Sequence, residues 1–136
     1  MSSAVWELQK ALHAGLLANA ALVDAIGGPR VWDHVPRGAV FPYVTIGAST
    51  NLDWSTGTDT GCEHILTVHV WSTTPGRKEA ETIANAIRQT LHDQPLTLAG
   101  YRLVNFRHEL TETRRTAETE LYHAIVRFRA VTEPTA

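Results

Sequence analysis

The chain has 136 residues and a mass of 15.0 kDa, enough for one domain with a real core and too little for two ordinary ones. Its 43% hydrophobic and 19% charged residues exclude a disordered chain, and its net charge of −2 argues against a general nucleic-acid coat protein, which neutralises phosphates with a basic excess. A single cysteine, Cys62, excludes an intrachain disulfide and a Cys-rich zinc site, and no apolar run approaches the ~18 residues of a membrane helix.

The N-terminal segment reads as a helix rather than a signal peptide, because Glu7, Gln9 and Lys10 interrupt its apolar residues. Ser2 or Ser3 caps it, and Val5, Leu8, Leu12 and Leu16 form one apolar stripe. Trp6, Gln9, Lys10 and His13 fall on other faces. A short helix is predicted from Ala20 to Ile26, capped by Asn19 and ended by Gly27-Gly28-Pro29. Val31-Trp32 is a short strand candidate, and Pro42 to Gly47 is a better one. Asn51 to Cys62 reads as a polar, turn-rich loop.

Glu63 to Ser72 is the clearest strand, with Leu66, Val68 and Val70 on one face and Ile65, Thr67, His69 and Trp71 on the other. The second face is not plainly a water face, so cover on both sides is compatible with the pattern. A long helix follows, opened by Thr74-Pro75-Gly76 with Pro75 in the first turn and striped by Ala80, Ile83, Ala84, Ile87 and Leu91. Asp93-Gln94-Pro95 stops it. Leu96 to Leu98 reads as a short strand, and Arg102 to Leu110 and Leu121 to Thr132 as the last two. Thr111 to Thr119 between them reads as a charged tip. Short connections between neighbouring strands favour antiparallel pairing. The expected fold is α+β, a mostly antiparallel β-sheet with two long α-helices packed on one face, in a single domain over residues 1–136.

Candidate chemistry is thin. Asp59-Thr60-Gly61 matches the aspartic-protease triplet, which in small enzymes pairs two chains so that two Asp share a proton. Its flanks are polar or small, where that site needs apolar bracing strands. His108-Glu109-Leu110-Thr111-Glu112 begins like the zinc motif His-Glu-x-x-His, but Glu112 stands where the second His belongs and the segment reads as a strand. The seven His are scattered over different elements, and His64 and His69 differ by an odd number, so they face opposite ways. Cys62 and His64 share a face, at a spacing too wide for a simple nucleophile–base pair. No phosphate loop and no nucleophile elbow occurs. The expectation is a non-enzyme with no metal and no cofactor.

Hints of assembly are stronger. Four tryptophans are present, and Trp54 sits beside Asp53 in the polar loop, where burial inside one domain is hard. Aromatic anchors of this kind are enriched at protein–protein interfaces. Arg114-Arg115 in the charged tip can meet phosphate or a carboxylate-rich partner, as can Arg77-Lys78 at the start of the second long helix. Arg127 and Arg129 stand two apart with His123 as a basic stripe, a pattern that pairs with acidic residues on a neighbouring strand or subunit.

The order and spacing of many short segments resemble a known family. Val31-Trp32-Asp33-His34-Val35-Pro36 is followed by Phe41-Pro42-Tyr43-Val44-Thr45-Ile46-Gly47, then by Asp53-Trp54-Ser55-Thr56 leading into Glu63 to Ser72. Gly76-Arg77-Lys78-Glu79-Ala80, Leu91-His92-Asp93, Leu98 to Val104 and Val126-Arg127-Phe128-Arg129 continue the match. Together they resemble the phage tail terminator and tail-completion proteins of long-tailed phages and gene transfer agent particles. The resemblance implies a non-enzymatic, usually hexameric ring that caps the tail tube, ends its polymerisation and joins it to the neck. The partners it implies are further copies of the chain, the tail tube protein and a neck stopper or connector, with DNA only as transiting cargo and no membrane. The implied location is the cytoplasm during assembly, then the head–tail junction of the particle. A stopper or head-side adaptor is the alternative within the same particle, and a dimeric protease using Asp59 lies outside it. The interface candidates are Trp54, Asp53, Arg114, Arg115, Arg127 and Arg129.

Overall fold

The computed structural model describes residues 3–53, 55, 57, 60–92, 94–116 and 120–135. The chain starts with helix α1 (Ala4–Leu17), whose N-cap Ser3 accepts from the Trp6 N–H and so satisfies a first-turn donor. Helix α2 (Ala20–Ile26) is capped by Asn19, whose side-chain oxygen accepts from the N–H groups of Ala21 and Leu22. The same side chain donates to the Thr90 hydroxyl. Gly27 closes α2 in the left-handed conformation with φ 78°, which costs an L side chain energy and glycine none.

Strands β1 (Val31–Trp32), β2 (Tyr43–Asp53) and β3 (Cys62–Ser72) come next, then helix α3 (Lys78–Leu91) and strands β4 (Tyr101–Thr116) and β5 (Leu121–Pro134). They form one five-stranded sheet in the order β1-β2-β3-β5-β4. β1 runs parallel to β2, and every other pairing is antiparallel, so the sheet is mixed rather than purely antiparallel. Two helices are long, as expected, and the short α2 is the third.

Several boundaries differ from the expectation. α3 begins at Lys78, not at Pro75, because Gly76 takes φ 91° and breaks helical geometry just ahead of it. β2 runs on through Asn51, Leu52 and Asp53, which pair with His64, Glu63 and Cys62. The charged tip after Leu110 is strand as far as Thr116, pairing with Leu121 to Val126 of β5. Backbone ladders do not depend on side-chain polarity, and Thr111, Thr113 and Thr116 are good strand formers. Leu96 to Leu98 forms no strand, only an isolated bridge from Leu98 to Tyr101.

The helices lie on one face of the sheet. Leu8, Leu12 and Leu16 of α1 and Ile83, Ile87 and Leu91 of α3 pack with Val68, Val70, Val126 and Phe128 in one buried cluster. Phe106 and Phe128 meet across β4 and β5 with ring centroids 5.1 Å apart. The other face has no layer over it among the described residues, and Ile65 and Trp71 are only half-buried. Phe128 is fully buried and touches this cluster from the centre of the sheet. Phe128→Ala should therefore cost about 3–5 kcal/mol, read as a lower urea midpoint with an unchanged far-UV spectrum in water.

Candidate assembly surface

Strand alternation sends one set of side chains into the core and leaves its complement on the uncovered face. Glu63, Ile65, Thr67, His69 and Trp71 of β3 lie there, with His123, Ile125, Arg127 and Arg129 of β5 beside them in register. At one end Trp71 pairs with His123, and the two rings stack at 3.8 Å with planes 9° apart. His69 lies against the same imidazole at 4.9 Å, its Nδ1 2.7 Å from His123 Nε2. One nitrogen of that pair must donate and the other accept, so the bond holds only while at least one ring is neutral. The indole N–H of Trp71 donates to Thr45 Oγ1 at 3.0 Å, tying the stack to β2.

Gly47 makes room for this arrangement. A Cβ on Gly47 would sit 2.3 Å from His69 Nε2 and 2.5 Å from Thr67 Oγ1, well inside contact distance. The stack borders a shallow open hollow of about 490 Å³, with Asp33, Tyr43 and Leu121 on its rim. Burial, then the neighbouring His69 and Arg114, pull the His123 imidazole down to about 4. Burial also lowers His69. Both rings are therefore neutral near pH 7.

Further along, the cations of this face are matched. Arg129 Nε donates to Glu63 Oε2 at 2.7 Å, Arg127 Nε lies 3.2 Å from Glu109 Oε1, and Arg114 grips the Glu112 carboxylate at 3.0–3.2 Å. Partly exposed pairs of this kind add little stability each. Their main effect is to leave the middle of the face without a net basic stripe.

The opposite end of the sheet is held from the helix side. His64 is fully buried; its Nδ1 is 2.6 Å from Asn51 Oδ1 and its Nε2 is 2.8 Å from Thr132 Oγ1. With Nδ1–H donating to Asn51, Nε2 accepts the Thr132 hydroxyl proton, so one neutral ring joins β2, β3 and β5. Burial lowers its pKa accordingly. Cys62 Sγ lies 3.9 Å from the same Nδ1, but burial and the Asp53 carboxylate raise the thiol and Asn51 already occupies the ring nitrogen. That geometry makes no activated nucleophile.

The sequence pattern of the family described as "Tail completion protein gp17" matches residues 10–133. The chain belongs to the tail completion protein gp17 family. Its members are structural proteins of phage tails, not enzymes. Among solved structures, a chain of the "Virion of native gene transfer agent (GTA) particle" superposes with a TM-score of 0.88 at 30% identity, covering 97% of this chain and 99% of that one. The bacteriophage SPP1 gp17 protein superposes with a TM-score of 0.62 at 23% identity, covering 90% of this chain and 86% of that one, and shows the shared fold. No curated protein sequence matches.

For a tail completion protein the informative residues are those on exposed surfaces, and the predicted candidates scatter over several. Arg127 and Arg129 do share the uncovered face with His123, and their acidic partners come from β4 and β3 of the same chain. Arg114 and Arg115 are not a loop pair. They sit within β4 opposite His123 and Tyr122, so alternation sends them to opposite faces. Asp53 ends β2, exposed, its carboxyl held below the usual range by hydrogen bonds from the Ser55 side chain and N–H. Trp54 and Asp59 lie outside the described residues. His108, Glu109 and Glu112 are on a strand as expected, and no cluster of three metal-binding side chains exists among the described residues. The Trp71–His123–His69 stack was not legible beforehand: alternation put His69 and Trp71 on one face, but only the β3–β5 register brings His123 onto them.

The histidine stack and His64 give folding a defined pH dependence. All three imidazoles are depressed below the ordinary 6.5, so the unfolded chain takes up protons first and stability falls as pH drops from about 6.5 towards about 4. The expected outcome is a urea midpoint lower at pH 5 than at pH 7, with a shallower pH slope in His123→Gln.

Proposed function

We propose that this protein is a ring subunit that caps the tail tube of a phage-like particle, ends tube polymerisation and joins the tube to the neck. The observation that carries this reading is the near full-length likeness to a chain of the gene transfer agent virion. The surface supports it. Among the described residues one side of the sheet has no covering layer, and Trp71, His123, Arg129 and His64 are held in a stack, an ion pair and a buried hydrogen bond. A small domain with an open face suits a part whose activity belongs to an assembly.

In this reading the other partners are the tube subunit on one side of the ring and a neck component on the other. Closed rings use heterologous contacts, in which one patch meets a different patch of the next copy. The net charge of −2 per chain multiplies with copy number, and an acidic ring does not hold DNA that must pass through it. Asp53, which ends β2, and its sequence neighbour Trp54 are proposed as an interface anchor, with Arg114 and Arg115 as further contacts.

Native mass spectrometry and two-dimensional particle images should show a closed oligomer, alone or with tube protein, and tubes grown in its presence should stop at a fixed length. Cross-links to the tube subunit favour the terminator, whereas links only to head-side parts favour a stopper or adaptor. A protein that stays monomeric and leaves tube length unchanged would overturn the proposal. Trp54→Ala should weaken assembly by about tenfold, the usual cost of removing an aromatic anchor; unchanged assembly removes Trp54 from the interface.

A further inference from the structure

Both edges of the sheet carry unpaired strand. β1 covers only Val44 and Thr45, so β2 from Ile46 to Asp53 has no strand on its outward side among the described residues. That stretch holds no lysine and no proline, the usual means of blunting an edge, and has a single irregularity between Ile46 and Ser49. At the other end β4 is the last strand over all of Tyr101–Thr116. Among the described residues no further strand pairs with that edge; Leu98 bridges to Tyr101, and the His92 Nδ1 accepts from the His108 N–H at 3.0 Å.

Each open edge carries one of the few large apolar side chains left in water. Leu52 on β2 is 50% exposed and Val104 on β4 is 46% exposed. The ladder registers place them at the same height. Leu52 pairs with Glu63, Glu63 with Val131 and Val131 with Asn105. Asp53 pairs with Cys62, Cys62 with Thr132 and Thr132 with Leu103. Val104 therefore sits level with Leu52 and Asp53 across the full width of the sheet.

Direction agrees as well. Three antiparallel steps, β2 to β3 to β5 to β4, leave β2 and β4 running opposite ways. Rotating one copy about an axis along the strands brings its β4 beside the β2 of the next copy, antiparallel and without axial shift. Two different edges meeting in this way make a heterologous contact, which repeats around an axis and closes into a ring when the rotation per copy divides a full turn.

We infer that the outward edge of β2 from Ile46 to Asp53 takes the outward edge of β4 of a second copy as its next strand, with Leu52 and Val104 meeting at the seam. The inference rests on the ring reading and gives that ring its contact. Main-chain hydrogen bonds between the two strands supply the pairing, as in other strand additions, and the two apolar side chains fix its height.

The test uses Leu52→Lys and Val104→Lys, since a lysine on an edge strand opposes pairing without touching the core. Both variants should keep the wild type's far-UV spectrum and a cooperative melt. Each alone should lose the closed ring, with association weakened by about tenfold or more. Mixed in equal amounts they should form one-to-one dimers and nothing larger, because each retains one intact edge. Rings that persist in both variants overturn the edge contact and leave the ring reading standing. Dimers in Val104→Lys alone would point to β2 pairing with β2 about a two-fold axis, and overturn it too. A wild-type chain that forms no ring, alone or with tube protein, ends the ring reading and this contact together.

Discussion

Among the described residues helices seal one side of the sheet and leave the other without a layer, and much else in the molecule follows from that asymmetry. The alternation of β3 commits Leu66, Val68 and Val70 to the helices, and their neighbours Ile65, His69 and Trp71 must then stand on the far side. A one-residue slip would exchange the two sets, so the buried set fixes the register and the register fixes the exposed surface. α3 contributes Ile83, Ile87 and Leu91 to the seal, and α1 adds Leu8, Leu12 and Leu16.

The uncovered face is not left as bare apolar area. Trp71, His123 and His69 stack against one another, and Gly47 leaves the space that the His69 ring fills. The cations beyond them are matched by Glu63, Glu109 and Glu112. Such a face is stable in a monomer and still broad enough to line an assembly. The edges differ: among the described residues β2 beyond Thr45 and β4 present open backbone together with Leu52 and Val104. The molecule thus separates a finished surface from two unfinished edges, a division that suits a part made to be joined side by side.

Two catalytic candidates among the described residues are occupied otherwise, for specific reasons. The thiol of Cys62 is near an imidazole, but that imidazole is buried and bonded on both nitrogens by Asn51 and Thr132. The zinc-like string at His108 lies on a strand, where Glu109 and Glu112 share the uncovered face and His108 does not. These residues serve the fold and its surface, in keeping with the structural role of the tail completion protein gp17 family.

Local chemistry was legible in the sequence wherever a residue acts on its near neighbours. Ser3 and Asn19 cap the helices as read, Gly27 ends α2, and the two faces of β3 are as the alternation requires. The many short segments that carry the family resemblance were legible too, because they are local in the chain. Boundaries set by distant partners were not. β2 and β4 run past their polar ends because a facing strand is there to pair with, and no window of a few residues contains that partner. The separation of Arg114 from Arg115, the stacking of His123 on Trp71 and the common height of Leu52 and Val104 all depend on register between strands far apart in the chain. The sequence by itself determined the elements, their caps and the side of each strand that is buried. Only the tertiary structure decided which exposed residues are neighbours, since cross-strand pairing is a contact between distant segments that local propensity does not encode.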